Sequence, residues 1–182
     1  SGCEEPVQET VKDYMKEYVD EVRTDEMGNA VCVLHPEHPV RIMLSAHADE
    51  IGLIVTRITA EGRIQAVERG GIIHGTYPGQ KVQIQTRKGV VYGVVEGCRE
   101  TFRKKDLKAE DFLIDIGAAS KEDAEQYVSL GDTIVLDSGV RKLVNGRITS
   151  RALDDKIGVF IIMEALKRAR EKGCECGIYA AA

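Results

Sequence analysis

Hydrophobic positions change their period several times along this chain, and each change marks an element. From Glu5 to about Val22, apolar or aromatic residues (Val7, Val11, Tyr14 or Met15, Tyr18, Val22) recur at helical spacing behind a first-turn Pro6, which predicts an amphipathic helix. Met27-Gly28-Asn29 turns into a short strand, Ala30 to Leu34. The loop His35-Pro36-Glu37-His38-Pro39 follows, its two prolines excluding regular structure; it reads as a connector first and a metal site only second. Val40 to Ala46 reads as a core strand, and Ile51 to Ile58 with Arg63 to Val67 reads as a hairpin turning at Ala60-Glu61-Gly62.

From Gly70 the texture changes. Glycines at 70, 71, 75, 79, 89, 93 and 97 punctuate short strands such as Lys81 to Thr86 and Val90 to Val95, and Phe112 to Ile116 and Thr133 to Leu136 continue the series. Arg99 to Lys108 is a basic stretch read as a solvated loop. Ser120 opens a short helix, with Asp123 three residues on as a weaker capping box. Arg141 to Val144 is a strand turning at Asn145-Gly146, a strong hairpin signal. Helical spacing then returns: Asp154 or Asp155 starts a long helix through Ile157, Phe160, Ile161 and Leu166, closed by cations and a C-cap glycine, Gly173. Gly177 to Ala182 reads as a buried strand, so the chain stops on apolar residues as a truncated domain would. The fold class expected is α/β in two pieces, 1–68 and 149–182, around an inserted β-rich module at 69–148.

Composition narrows the function. A net charge of −5 argues against a nucleic-acid partner, and a chain without Trp and with three Phe offers poor stacking platforms. No segment approaches the ~18 apolar residues of a membrane span, and the N-terminus lacks the basic and apolar regions of a signal peptide. Five cysteines without a Cys-x-x-Cys pair read as free thiols in a reducing, cytoplasmic compartment.

Chemistry concentrates at two junctions. Ser45-Ala46-His47-Ala48-Asp49-Glu50-Ile51-Gly52 places an imidazole and two carboxylates where an apolar strand ends, and strand ends are where α/β sheets gather ligands. Asp154-Asp155 is a second acidic pair at a strand-to-helix junction. His47 would bind a divalent ion through one ring nitrogen, with Asp49 bonding near the other to set the ring's orientation. Asp154 would bridge two ions ~3.5–4 Å apart, and Asp155 would serve the helix start. By chemistry alone, N-capping explains Asp154-Asp155 as well as metal binding does.

Ala46-His47-Ala48-Asp49-Glu50-Ile51-Gly52 together with Ala152-Leu153-Asp154-Asp155-Lys156-Ile157-Gly158 resembles the dinuclear metallo-aminopeptidases that assemble as tetrahedral dodecamers. These are the glutamyl and leucyl aminopeptidases of metallopeptidase family forty-two, some of which carry the name endoglucanase. Ser1 to Val7, Thr24 to Asn29, Gly70-Gly71, Asp115 to Ala118 with Ser120-Lys121-Glu122, and Gly131-Asp132 extend the likeness over the chain, which corresponds to roughly the N-terminal half of the family's length. The resemblance implies a mixed-sheet catalytic domain, truncated here, with a small barrel-like oligomerisation insert. It implies two zinc or cobalt ions, His47 as a terminal ligand, Asp154 as the bridge, Asp49 as the catalytic carboxylate that orients and polarises His47, and peptide substrates in a homo-oligomer. The family's general base belongs to a Glu-Glu pair just after the strand ending at Ala182, and further ligands come later still. The 182-residue chain alone is therefore expected to bind metal weakly and to hydrolyse no peptide. Two other functions stay open: a non-catalytic assembly scaffold, and a glycoside hydrolase using Asp49 and Asp154, which needs carboxyls ~5–10 Å apart and no metal.

Overall fold

A computed structural model describes residues 2–182. From the N-terminus the elements are α1 (Glu5–Met15), β1 (Glu21–Thr24), β2 (Ala30–Leu34), β3 (Arg41–Ser45), β4 (Gly52–Ile58) and β5 (Ile64–Arg69). They continue with β6 (Lys81–Thr86), β7 (Gly89–Val95), α2 (Arg99–Arg103), β8 (Ile114–Asp115), α3 (Lys121–Ala124) and β9 (Thr133–Leu136). The last are β10 (Arg141–Lys142), β11 (Ile148–Thr149), α4 (Leu153–Lys172) and β12 (Gly177–Ala181). The chain divides into two compact units, Gly2–Glu50 with Ala152–Ala182, and Ile51–Arg151.

The first unit is a mixed four-stranded sheet in the order β1-β2-β12-β3. β12 runs antiparallel to β2 and parallel to β3, with Ala181 opposite Ser45. Its apolar side chains Cys32, Leu34, Ile178 and Ala180 pack with Val11 and Met15 of α1 and Val159, Met163 and Leu166 of α4. Gln8 of α1 reaches across to donate to the Ala182 carbonyl at 2.8 Å.

The second unit holds a closed barrel, β4-β5-β8-β7-β6-β9, whose strands expose no sheet edge, and a separate two-stranded ribbon, β10-β11. Leu53, Ile64, Ile84, Ile114 and Ile134 fill the barrel, with Phe112 buried against the Tyr77 ring at 5.6 Å between centroids. α3 is capped as its sequence predicts: Ser120 Oγ accepts from Asp123 N at 3.3 Å, and Asp123 accepts in turn from Ala119 N at 3.0 Å.

Four expectations change. The first helix stops at Met15 rather than running to Val22, because Glu21–Thr24 zips onto Ala30–Val33 as β1. β3 is not a core strand: it pairs on one side only and most of it is exposed. The basic stretch holds a short helix, α2. The barrel starts at Ile51 and not after residue 68, because β4 and β5 close it through β9 and β8.

Candidate metal centre

β3 and β12 run parallel and end side by side. Ala46 N still donates to Ala181 O at 3.1 Å, and the chain then leaves the sheet as the irregular segment that carries His47, Asp49 and Glu50. The opposing group comes from the start of α4. Helical backbone does not begin at Asp154 or Asp155 as the sequence predicts. Ala152 is left-handed (φ 58°), Asp154 has φ −90° and ψ 108°, Asp155 has φ −121° and ψ 33°, and the Asp154–Asp155 peptide bond is cis.

That irregular turn separates the roles of the two aspartates. Asp155 faces the helix, its Oδ1 accepting from Gly158 N at 3.1 Å as an N-terminal cap. A Cβ on Gly158 would lie 2.4 Å from both Asp155 carboxylate oxygens, so the cap requires glycine there. Asp154 points away from the helix, with its side chain 96% exposed, and its Oδ1 meets His47 Nε2 at 3.1 Å. The other ring nitrogen, Nδ1, lies 3.0 Å from Asp49 Oδ1. The structure thus brings the three predicted site residues together, His47 between two carboxylates.

An imidazole in that position carries an electrostatic demand. A neutral ring has a single N–H, so if Nδ1–H donates to Asp49, the lone pair of Nε2 faces the lone pairs of Asp154. Only a cation between them relieves the repulsion. Without a metal that cation is a proton: desolvation lowers the His47 pKa, but the hydrogen bonds to Asp154 and Asp49 with their charges outweigh it, and the net shift is upward. A divalent ion answers the same demand. A 3.1 Å separation of N and O is what two donors bonded at about 2.0–2.2 Å to one zinc-sized ion subtend at slightly more than a right angle. The residues present fit one edge of a metal site. Among the described residues no group of three or more His, Cys, Asp or Glu completes one, and the His35–Pro39 loop, which lines an open depression with Asp20 and Cys174, is no exception.

A further ion pair lies beside these residues. Lys156 Nζ lies 3.4 Å from Glu50 Oε1, tying the His47 segment to the first turn of α4. Nothing in local spacing couples residues 106 apart, so the pair is visible only in three dimensions.

The sequence profile of the M42 glutamyl aminopeptidase family matches residues 28–182. The chain belongs to the M42 family. The lysyl aminopeptidase of Pyrococcus furiosus is 31% identical over 180 residues, covering 95% of this chain and 51% of the relative. Among solved M42-like structures, an aminopeptidase from the archaeon Desulfurococcus kamchatkensis superposes with a TM-score of 0.92 at 34% identity, over 100% of this chain and 51% of that one. A Pyrococcus horikoshii TET1 peptidase, which can assemble into a tetrahedron or a large octahedral shell, gives 0.88 at 33% identity, over 100% and 56%. The chain spans about half the length of the relatives it matches. Its mixed α/β sheet and closed barrel are those of M42 peptidase domains.

Proposed function

We propose that this chain contributes half of the dinuclear metal centre of an M42 aminopeptidase that removes N-terminal residues from short peptides. The observation that carries the proposal is the ring of His47 held between Asp49 and Asp154, the latter 107 residues away in sequence. In this reading His47 Nε2 would hold one divalent ion, zinc or cobalt, as a terminal ligand, and the exposed Asp154 carboxylate would be shared between that ion and a second. When bound, the ions supply Lewis acidity toward a peptide carbonyl and an attacking water. Asp49 retains the Nδ1 proton of His47, which fixes the tautomer and leaves Nε2 able to bind a cation.

Catalytic zinc sites use three protein ligands and an open position, more than the described residues bring together. The remaining donors and the general base are proposed to lie in the part of the family's length that this chain does not span. The sheet supports that placement, since residues following β12 emerge beside those following β3. The homo-oligomer reading finds support on the barrel, where Val90, Tyr92 and Val94 of β7 alternate outward as an exposed apolar row. Free thiols favour a cytoplasmic setting.

Calorimetric titration with Zn²⁺ and Co²⁺ tests the metal reading. The 182-residue chain should bind weakly, and His47→Ala and Asp154→Asn should each abolish that binding. A polypeptide of full family length should release N-terminal amino acids in a chelator-sensitive manner. Tight stoichiometric zinc, or peptidase activity, in the 182-residue chain would overturn the division of the site. Chelator-resistant hydrolysis would overturn the metal mechanism.

A further inference from the structure

His47 and Asp154 meet across a gap that their own side chains are poorly suited to hold. His47 lies two residues past the end of β3, and Asp154 sits on the non-helical first residues of α4, so no strand ladder joins the two segments. Their side chains are 56% and 96% exposed, and a contact between groups so open to water contributes little by itself to keeping them together. An exposed carboxylate also gives up rotamer freedom to stay in one position. Yet Nε2 and Oδ1 stand 3.1 Å apart. Glu50 and Lys156 are better shielded, with side chains 21% and 33% exposed and Oε1 and Nζ 3.4 Å apart. Glu50 directly follows Asp49, and Lys156 follows Asp154 by two residues, so each end of the pair is anchored to one of the two segments. Water screens a partly buried ion pair less than an exposed one, and more of its attraction survives.

We propose that Glu50 and Lys156 are positioning residues of the metal centre: their ion pair holds the segment after β3 against the start of α4 at the separation that lets His47 and Asp154 share one ion. The inference deepens the metal reading and rests on it for its consequence, whereas the contact it explains exists in the metal-free chain. Neither residue serves as a ligand in this arrangement. A protonated amine has no lone pair for a cation, and Glu50 Oε1 is turned to Lys156, so the pair also keeps this carboxylate out of the coordination set. Groups one step removed from a metal ligand commonly change its affinity by about 10–100-fold, because they fix where the ligand points.

Nuclear magnetic resonance of the metal-free 182-residue chain reads the positioning itself, and calorimetric titration with Zn²⁺ reads its consequence. The parent chain should show cross-relaxation between the His47 ring protons and the Asp154 β-protons. Lys156→Met keeps an unbranched stem without the charge. It should lose that signal and weaken Zn²⁺ binding about 10-fold or more, with amide exchange in β2 and β12 unchanged. Glu50→Gln should do the same from the other partner, and it carries the test if Lys156→Met does not fold. Lys156→Arg restores a cation and should recover both the contact and the affinity. The inference is overturned if the parent shows no such contact, if the contact survives both charge-removing substitutions, or if Lys156→Arg recovers neither signal. It is also overturned if a parent that binds Zn²⁺ has variants that bind it unchanged or tighter, or if the contact is lost only together with protection throughout the sheet. A contact that depends on Lys156 in a chain that binds no Zn²⁺ keeps the positioning role and counts against the metal reading.

Discussion

Asp154 and Asp155 are adjacent and chemically identical, yet the backbone gives them opposite tasks. Asp155 turns inward to cap Gly158 N, and Asp154 turns outward to His47. Asp155→Ala should therefore cost about 1 kcal/mol of stability, the usual loss for an N-terminal cap, read as a lower midpoint in thermal or urea unfolding. Asp154→Asn should leave that midpoint unchanged and act only on metal binding. Equal destabilisation by both substitutions would show that the two aspartates share a structural role. Sequence alone leaves capping and ligation as equals for this pair, because both chemistries want a carboxylate before a helix. The left-handed Ala152 and the non-helical Asp154 break the tie, and local spacing carries no trace of them.

At the level of elements, legibility follows burial. β2, β6 and β9 have the bounds that their apolar runs predict, because each is a short run anchored by buried apolar residues between turn residues. The hairpin turn is as plain: Asn145 and Gly146 both take positive φ, 57° and 69°. β1 was hidden because Tyr18 and Val22 extend the helical spacing of α1, and only pairing with β2 pulls Val22 into a strand opposite Cys32. β3 misleads for the reverse reason, since its composition is that of a buried strand while its surroundings leave it bare. Two contacts between elements give tests. A Cβ on Gly52 would sit 2.4 Å from the Ile134 carbonyl oxygen of the neighbouring strand β9, so Gly52→Ala should force β4 and β9 apart and cost roughly 1–3 kcal/mol in unfolding experiments. In the first unit, Arg170 donates to Asp20 at 2.6 Å and His35 N donates to the same carboxylate at 2.8 Å. These bonds, the guanidinium first, hold the Asp20 pKa below the ordinary carboxylate range. Folding thus favours the ionised form. Its contribution is whole above the unfolded pKa and is lost as pH falls through the depressed folded value. Urea midpoints measured down through the acid range should fall less steeply for Asp20→Asn than for the parent chain.

At the scale of the whole molecule, the barrel is one continuous segment with its own core, Leu53 through Ile134. Residues 51–151 expressed alone should give β-type circular dichroism and a cooperative thermal transition, and a featureless melt would show that the barrel leans on the rest of the chain. If the outward row on β7 is the assembly surface, Tyr92→Lys should lower the mass seen by light scattering without shifting that transition. The other unit is assembled from sequence on both sides of the barrel: β3 at residues 41–45 finds its parallel neighbour β12 only at 177–181. A ribosome delivers those strands in order, with the whole barrel emerging between them. His47 and Asp49 must wait, solvated and apart from Asp154, until 107 further residues have been made. The meeting of His47 with Asp154 therefore follows the emergence of the barrel, which has time to fold before these two ligands come together.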